Sequence, residues 1–215
     1  MILAIDTSLG TAVAVIDRDG VVRAEAASDN PLGHAEVIGA LLQQAVDAAA
    51  SPRAGITHVA AGMGPGPFTG LRIGIAAARA FGLARRIPVV PVPSHDAIAL
   101  GALLAAEIES RELPPFAVVT DARRREFAYT VYDGLDDDGL PVRRAEPTLV
   151  PRADLDARLD ELGAARLDAT TVPAAMLALA AARALDAGRT IGSTEPLYLR
   201  SPDVTLPHSP KRVSA

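Results

Sequence analysis

Residues 62–74, GMGPGPFTGLRIG, are the first place in the chain where residue types and spacing could support chemistry. Glycines crowded between an apolar run and a helix-forming run are typical of loops that hold a phosphate. A Walker A loop needs Gly-Lys-Ser/Thr, which does not follow, and the spacing from Gly64 does not match the dinucleotide fingerprint. Pro65 and Pro67 each remove an amide donor, and Phe68 adds an apolar ring. The sequence therefore favours a structural turn over a phosphate cradle.

Other residue types limit the reactions that the chain could carry out. It has no cysteine, which excludes disulfides and thiolate metal sites, and its one lysine is Lys211. A P-loop lysine and a Schiff-base lysine are therefore excluded. His34, His58 and His208 stand alone, without the spacing of metal ligands. No G-x-S-x-G motif is present, so we do not expect a hydrolase nucleophile.

The composition is that of a globular protein with one or two compact units. Of 215 residues, 49% are hydrophobic, which allows a real core. The net charge of -5 disfavours direct nucleic-acid binding, because that function usually needs a basic face. No apolar run is long enough to span a membrane, and the first residues lack the basic region of a signal peptide. We therefore expect a cytoplasmic location without membrane contact.

Alternating strands and helices must position these residues. The first part of the chain predicts the order βββαβαβα, a sheet led by a hairpin at Asp19-Gly20 and continued by crossovers. Helices are predicted over 34–50 and 71–86, and a third begins near Ser94, which we expect to be its N-cap. Two further strands and two alanine-rich helices follow a linker at 111–116.

This order divides the chain into three parts. We predict a first unit over 1–110, a smaller second unit over 111–200, and a loose tail over 201–215. The tail is predicted because it contains frequent prolines and few apolar residues.

The second predicted helix carries small residues at every fourth position: Gly70, Gly74, Ala78 and Gly82. An interior glycine costs a helix about 1 kcal/mol relative to alanine. Repeated glycines on one side therefore indicate that another backbone comes close. That backbone could belong to the chain's own sheet or helices, or to a partner protein, and the spacing does not distinguish the two.

Four segments, LAIDTS, GMGPGPFTGLRIGIAAARAFG, TDARRREFAYTVYD and EPLYLR, occur in an order seen in a bacterial family. On these segments the chain resembles the TsaB (YeaZ) family of tRNA threonylcarbamoyladenosine biosynthesis proteins, within the glycoprotease or TsaD-like superfamily. The resemblance covers roughly residues 1–135 and the PLYLR segment. It departs at Pro67, where the family usually has serine.

The resemblance implies an α/β fold of the actin, Hsp70 and sugar-kinase (ASKHA) type, with two βββαβα-type lobes of which the second is abbreviated. It also implies a non-catalytic scaffold that binds and stabilises a TsaD-like transferase, which modifies the adenosine next to the tRNA anticodon. A TsaE-like ATPase would join a larger complex, and tRNA would be reached only through that complex. A homodimer through the same helices is compatible with this role as a resting state.

The paired subunits of this family meet through their first two helices, here about 34–50 and 70–86. The predicted partner interface consists of Ile38, Leu41, Leu42 and Ala45 on the first helix and Gly70, Gly74, Ala78 and Gly82 on the second.

The resemblance also implies that little catalytic machinery is present. Phosphates in this superfamily lie between two glycine-containing turns. The first turn here contains Asp6, Thr7 and Ser8, whereas the second, after Asp121, lacks glycine. We expect no cofactor, with at most weak nucleotide binding at the first turn. The alternative is an enzyme of the same fold, a small-molecule kinase or ATPase that uses Asp6 and Asp121.

The metal site of the catalytic relatives is a His-x-x-x-His pair. Only His95 is present at the comparable place, because position 99 is alanine. We therefore expect no metal, and a capping or surface role for His95 and Asp96.

Overall fold

A computed structural model describes residues 1–28, 30, 33–49 and 55–200. The chain begins with the antiparallel strands β1 (Ile2–Asp6), β2 (Thr11–Ile16) and β3 (Val22–Ser28). In the turn between β2 and β3, the Oδ1 of Asp17 accepts the amides of Asp19 and Val21, and Gly20 adopts φ 84°. The hairpin predicted at Asp19-Gly20 is therefore confirmed.

The first sheet continues through α1 (His34–Ala48), β4 (His58–Gly62), α2 (Phe68–Arg85), β5 (Val89–Val92) and α3 (Ser94–Ile108). Its strand order is β3-β2-β1-β4-β5, and β4 is parallel to both β1 and β5. The predicted order βββαβαβα is confirmed. Helix α2 begins at Phe68, before the predicted residue, because Pro67 ends the extended loop as its N-cap. The predicted end of the first helix, at residue 50, lies outside the described residues.

The second sheet contains β6 (Phe116–Asp121), β7 (Glu126–Leu135), β8 (Pro141–Arg143), β9 (Thr148–Pro151) and β10 (Ala165–Asp168). Its strand order is β10-β6-β7-β8, and β9 also pairs with β7. Helices α4 (Leu155–Leu162) and α5 (Ala174–Asp186) complete the described elements. Sequence reasoning missed β8 and β10, which are three and four residues long and therefore too short for a clear alternation.

The described helices and sheets form layers. Helices α1 and α2 cover the outer face of the first sheet, α3 and α5 lie between the sheets, and α4 covers the outer face of the second sheet. Within β1, Ile2 and Ala4 face α5, whereas Leu3 and Ile5 face α1 and α2. Both faces of β1 are buried, which explains why this strand is apolar at successive positions.

The division into units 1–110 and 111–200 stays a prediction, and "first unit" and "second unit" are used below only as names for these two residue ranges. Helix α5 of the second range packs directly on β1 and β2 of the first sheet. The predicted tail, 201–215, lies outside the described residues. Among the helices that the structure describes, none is long and apolar enough to cross a membrane.

Candidate functional site

A buried polar cluster lies where β1, the glycine loop and α3 meet. Asp6 ends β1 and is 1% exposed. Its Oδ1 accepts the Ser8 amide at 2.7 Å, and its Oδ2 accepts the Ser94 hydroxyl at 2.5 Å. The Oγ atoms of Ser8 and Ser94 lie 2.8 Å apart, and the Gly64 amide donates to the Ser94 Oγ. Burial raises the pKa of Asp6, against the hydrogen bonds from Ser94 and Ser8.

Sequence reasoning gave Ser94 the wrong role. The N-cap of α3 is Pro93, and Ser94 is the first helical residue, with its side chain directed at Asp6 instead of at its own helix. The sequence did contain a signal for the true N-cap, because the extended backbone that proline favours suits the position just before a helix.

The glycines of the 62–74 loop allow this loop to pack closely on the end of β1. A Cβ at Gly62 would lie 1.8 Å from the Oδ2 of Asp6, and a Cβ at Gly66 would lie 2.9 Å from the Cα of Ser8. Contacts this short are not available to any residue with a side chain. The loop therefore serves as a structural turn at these two glycines, as the sequence predicted.

The small residues of α2 face the chain's own interior. The Thr7 hydroxyl donates to the Gly70 carbonyl at 2.6 Å and accepts the Gly74 amide at 3.1 Å. A Cβ at Gly74 would lie 2.2 Å from the Thr7 Oγ1, and one at Gly82 would lie 2.8 Å from a methyl of Val89. The spacing left open whether the chain's own backbone or a partner protein comes close to these small residues. The structure shows that the chain's own residues do.

This placement corrects the second-helix part of the predicted partner interface, whereas Leu41 and Leu42 of the first helix are only half-buried. Gly70, Gly74, Ala78 and Gly82 are buried, so they do not form a bare surface for another protein. On α1, Ile38 and Ala45 belong to the core beneath the helices, and Leu41 and Leu42 pack against the same core. The physical reason is that an apolar helix face is first needed to cover the chain's own sheet.

The expectation of at most weak nucleotide binding at the first turn stays a prediction. The side chains of Asp6, Thr7 and Ser8 are buried and hydrogen-bonded to other parts of the chain. They do not line the large cleft described next, whose nearest residue from this turn is Leu9.

A cleft of about 500 Å³ lies between the two sheets. The first unit contributes His34 and residues 65–70, the second unit contributes residues 120–124, and Tyr198 to Arg200 form another wall. His34 is buried and its Nδ1 lies 2.8 Å from the Thr11 Oγ1. The walls combine aromatic rings with arginines, which suits a flat or anionic ligand. Sequence reasoning did not identify His34, Tyr198 or Arg200 as cleft residues, because only the fold brings them together.

Asp121, the counterpart of Asp6 at the end of β6, is exposed at the cleft. Its Oδ1 accepts the Arg123 amide at 2.8 Å and lies 2.8 Å from a guanidinium nitrogen of Arg152. Partial desolvation raises the pKa of Asp121, but the hydrogen bonds from Arg152 and Arg123 outweigh it and hold the pKa below the usual range.

The turn between β6 and β7 is strained. Arg123, Arg124 and Arg125 have φ angles of 62°, 51° and 64°, a left-handed conformation that usually requires glycine. The sequence correctly showed that glycine is missing here, but the backbone adopts the left-handed conformation nonetheless. Strain of this kind is often found at functional sites.

His95 and Asp96 are buried inside the molecule, contrary to the predicted capping or surface role. His95 lies between the hydroxyls of Thr130 and Thr120, at 2.8 and 3.0 Å, and burial lowers its pKa to about 3. The Asp96 carboxylate accepts the Tyr132 hydroxyl at 2.8 Å. Burial raises its pKa to about 6, although the nearby Arg143 opposes this rise.

Candidate metal ligands do not converge in the part of the chain that the structure describes. Within residues 1–28, 30, 33–49 and 55–200, no group of three histidine, aspartate or glutamate side chains is placed to hold an ion.

Comparison with known proteins gives the family. The family model described as "TsaD: tRNA N6-adenosine threonylcarbamoyltransferase" matches residues 14–140. An uncharacterized protein of Mycobacterium tuberculosis is 40% identical over 147 residues, which cover 67% of this chain and 65% of that protein. A tRNA N6-adenosine threonylcarbamoyltransferase of Streptococcus pneumoniae is 34% identical over 145 residues, 60% of this chain and 42% of the enzyme. The chain thus spans less than two thirds of the length of these relatives.

The fold has a solved counterpart. YeaZ from Pseudomonas aeruginosa superimposes with a TM-score of 0.71 over 92% of this chain and 99% of YeaZ, at 24% sequence identity. A crystal structure of an uncharacterized protein with similarity to peptidase YeaZ from Pseudomonas aeruginosa gives the same TM-score over 93% of this chain. The resemblance seen in the sequence is confirmed: the chain belongs to the TsaD family of tRNA N6-adenosine threonylcarbamoyltransferases and has the fold of YeaZ (TsaB).

Proposed function

We propose that this chain acts in threonylcarbamoyladenosine modification of tRNA as a non-catalytic partner that binds and stabilises a TsaD-like transferase. A TsaE-like ATPase would join the complex, and tRNA would be reached through it. The family match over residues 14–140 supports the pathway. The two sheets with α3 and α5 between them further support the ASKHA-type fold with two lobes that we infer.

The interior of the site supports a role without catalysis. Asp6, Thr7 and Ser8 hold the glycine loop and α3 in place instead of facing the cleft. His95 has both ring nitrogens engaged by buried threonines. These groups are committed to the structure of the chain, so they are poorly placed to bind a substrate.

The outward face of α1 and α2 is the observation that carries the partner role. Leu83 on α2 is 82% exposed, and Ala76 and Ala80 on the same side of the helix are also exposed. On α1, Gly39 is exposed and a Cβ there would meet nothing within 4 Å. The small residues on both helices would let a partner helix approach closely, and the exposed leucine would pack against it. We therefore place the interface on the side of these helices opposite to the predicted residues.

Co-purification with the TsaD-like transferase of the same organism tests this interface. We expect Leu83→Asp to abolish the complex, because a carboxylate would be buried in the interface. Ile108→Asp is the matched control, since Ile108 is an equally exposed aliphatic residue (85%) near the end of α3. If Leu83→Asp still forms the complex as well as Ile108→Asp does, the proposed interface is excluded.

A second candidate function, an ASKHA-type ATPase or small-molecule kinase, is supported by the cleft and its arginines. Titration calorimetry with ATP and Mg²⁺, followed by a turnover assay, distinguishes it from the scaffold. The informative variant is Asp121→Ala, because Asp121 is exposed at the cleft whereas Asp6 is buried in a structural cluster. Tight ATP binding with turnover that is lost in Asp121→Ala would favour the enzyme and contradict the non-catalytic role.

A further inference from the structure

Residues 191–200 follow α5 and cross from the second unit to the first. At the base of this segment, a guanidinium nitrogen of Arg143 donates to the Ile191 carbonyl at 2.6 Å. In its middle, Arg79 on α2 donates to the Thr194 carbonyl at 2.7 Å. We call residues 191–200 the strap, because side chains from both units hold it along its length.

The tip of the strap closes one side of the cleft. The Tyr198 ring lies 4.7 Å from the Phe68 ring, and the Arg72 Nε donates to the Tyr198 hydroxyl at 3.2 Å. Two residues later, Arg200 forms an ion pair with Glu126 at the start of β7. The tip therefore joins α2, which covers the first sheet, to a strand of the second sheet.

The strap is held much less firmly than the opposite side of the cleft. There, α3 and α5 fill the space between the sheets with fully buried apolar side chains. Ile191 and Tyr198 pack against the two cores and Gly192 lies close to the Pro91 main chain, but no residue of the strap is fully buried. Among the described main-chain hydrogen bonds, one joins the strap to another segment, from the Leu197 amide to the Met63 carbonyl. Regions with few buried contacts and exposed hydrogen bonds open first in native proteins.

We propose that the strap is a latch whose tip, Tyr198 to Arg200, holds the cleft closed, and that its release lets the two sheets separate around the α3–α5 core. Loss of the Tyr198 contacts with α2 and of the Arg200–Glu126 ion pair releases the tip, while Arg143 and Arg79 still hold the base and the middle of the strap. The core between the sheets remains intact in both states and acts as the hinge. This device does not depend on the proposed scaffold role, since it concerns the isolated chain.

Hydrogen exchange of the wild-type chain gives the first test. We expect the Leu197 amide to exchange at least about tenfold faster than the amides of β4, because opening of the strap leaves the sheet folded. An equal rate for Leu197 and the β4 amides would mean that the strap opens only with global unfolding, which would overturn the proposal.

Distances between the units give the second test. The chain has no cysteine, so spin labels can be attached at Ala76→Cys on α2 and Ala157→Cys on α4, both exposed. We expect the double variant Tyr198→Ala/Arg200→Ala to shift the label–label distances to longer values. Arg189→Ala, which removes an arginine paired with Asp136 and Asp138 within the second unit, is the control and should leave the distances unchanged.

Either of two results contradicts the latch. One is an unchanged distance distribution in a folded double variant, and the other is an equal shift in Arg189→Ala. Circular dichroism checks that the double variant is folded, and if it is not, the wild-type exchange rates alone decide the question.

Discussion

The two units contain equivalent turns that are built in opposite ways. In the first unit, the turn after β1 directs Asp6 and its neighbours inward, and glycines in the adjoining loop make room for them. In the second unit, the turn after β6 leaves Asp121 exposed at the cleft and forces three arginines into a left-handed backbone without glycine. The same topological position thus serves packing in one unit and the surface of the cleft in the other.

The two aspartates show what this difference means for charge. Burial raises the pKa of Asp6, whereas hydrogen bonds from Arg152 and Arg123 lower that of Asp121 despite slight desolvation. The type of a residue and its position in a strand therefore do not determine the role of that residue. The role follows from whether the neighbouring loop covers the turn or leaves it open to solvent.

The largest expected effect is the loss of packing at the first turn in Gly62→Ala. A Cβ at this position would lie 1.8 Å from the Oδ2 of Asp6, so the carboxylate must leave its hydrogen bond with Ser94. We expect the free energy of unfolding to fall by about 3 kcal/mol. Urea denaturation followed by circular dichroism measures this change.

Gly39→Ala is the matched control for Gly62→Ala. A Cβ at Gly39 meets nothing within 4 Å, and the residue lies inside α1. Alanine there should raise the free energy of unfolding by about 0.5–1 kcal/mol through its higher helix propensity. If the two variants change stability alike, the close packing of the glycine loop on Asp6 is not what distinguishes the first turn.

Sequence reasoning predicted elements better than it predicted side-chain roles. The hairpin, the crossovers and α5 follow from hydrophobic patterns and from turn residues such as Asp19-Gly20, which act locally. The direction in which the small residues of α2 face does not follow, because Gly74 packs on Thr7, a residue far away in the sequence. The cleft could not be predicted from the sequence either, because Phe68, Asp121 and Tyr198 meet only through the tertiary fold.

The pH dependence of stability should have opposite signs at the two turns. The pKa of Asp6 in the folded chain is raised above its ordinary value of 3.8, so its ionisation favours unfolding. Its contribution to stability therefore decreases as the pH rises above about 3.8, and Asp6→Asn should remove this decrease. The pKa of Asp121 is lowered, so it stabilises the fold above that pH, and this contribution is lost as the pH falls.

Urea denaturation of the wild-type chain, Asp6→Asn and Asp121→Asn between pH 3 and pH 7 measures these slopes. The Asp121 effect should be small, because this exposed carboxylate is screened by solvent. Asp96, whose pKa burial raises to about 6, adds a decrease of its own over this range, so the test is the difference in slope between the wild-type chain and Asp6→Asn. Equal slopes in these two chains would show that Asp6 does not contribute, and would contradict the contrast between the turns.

A modest effect is expected from the relief of backbone strain at the second turn. Arg125 has φ 64°, and its carbonyl accepts the Arg152 amide, so the turn keeps this conformation while β9 remains paired with β7. Glycine adopts a positive φ without steric cost, whereas alanine retains the cost of its Cβ. The free energy of unfolding of Arg125→Gly, measured by urea denaturation, should therefore exceed that of Arg125→Ala by about 1 kcal/mol. Both variants lack the arginine side chain, so its loss does not affect the comparison. The opposite order of stability would mean that the left-handed backbone of this turn carries no strain, and that the two turns differ in charge alone.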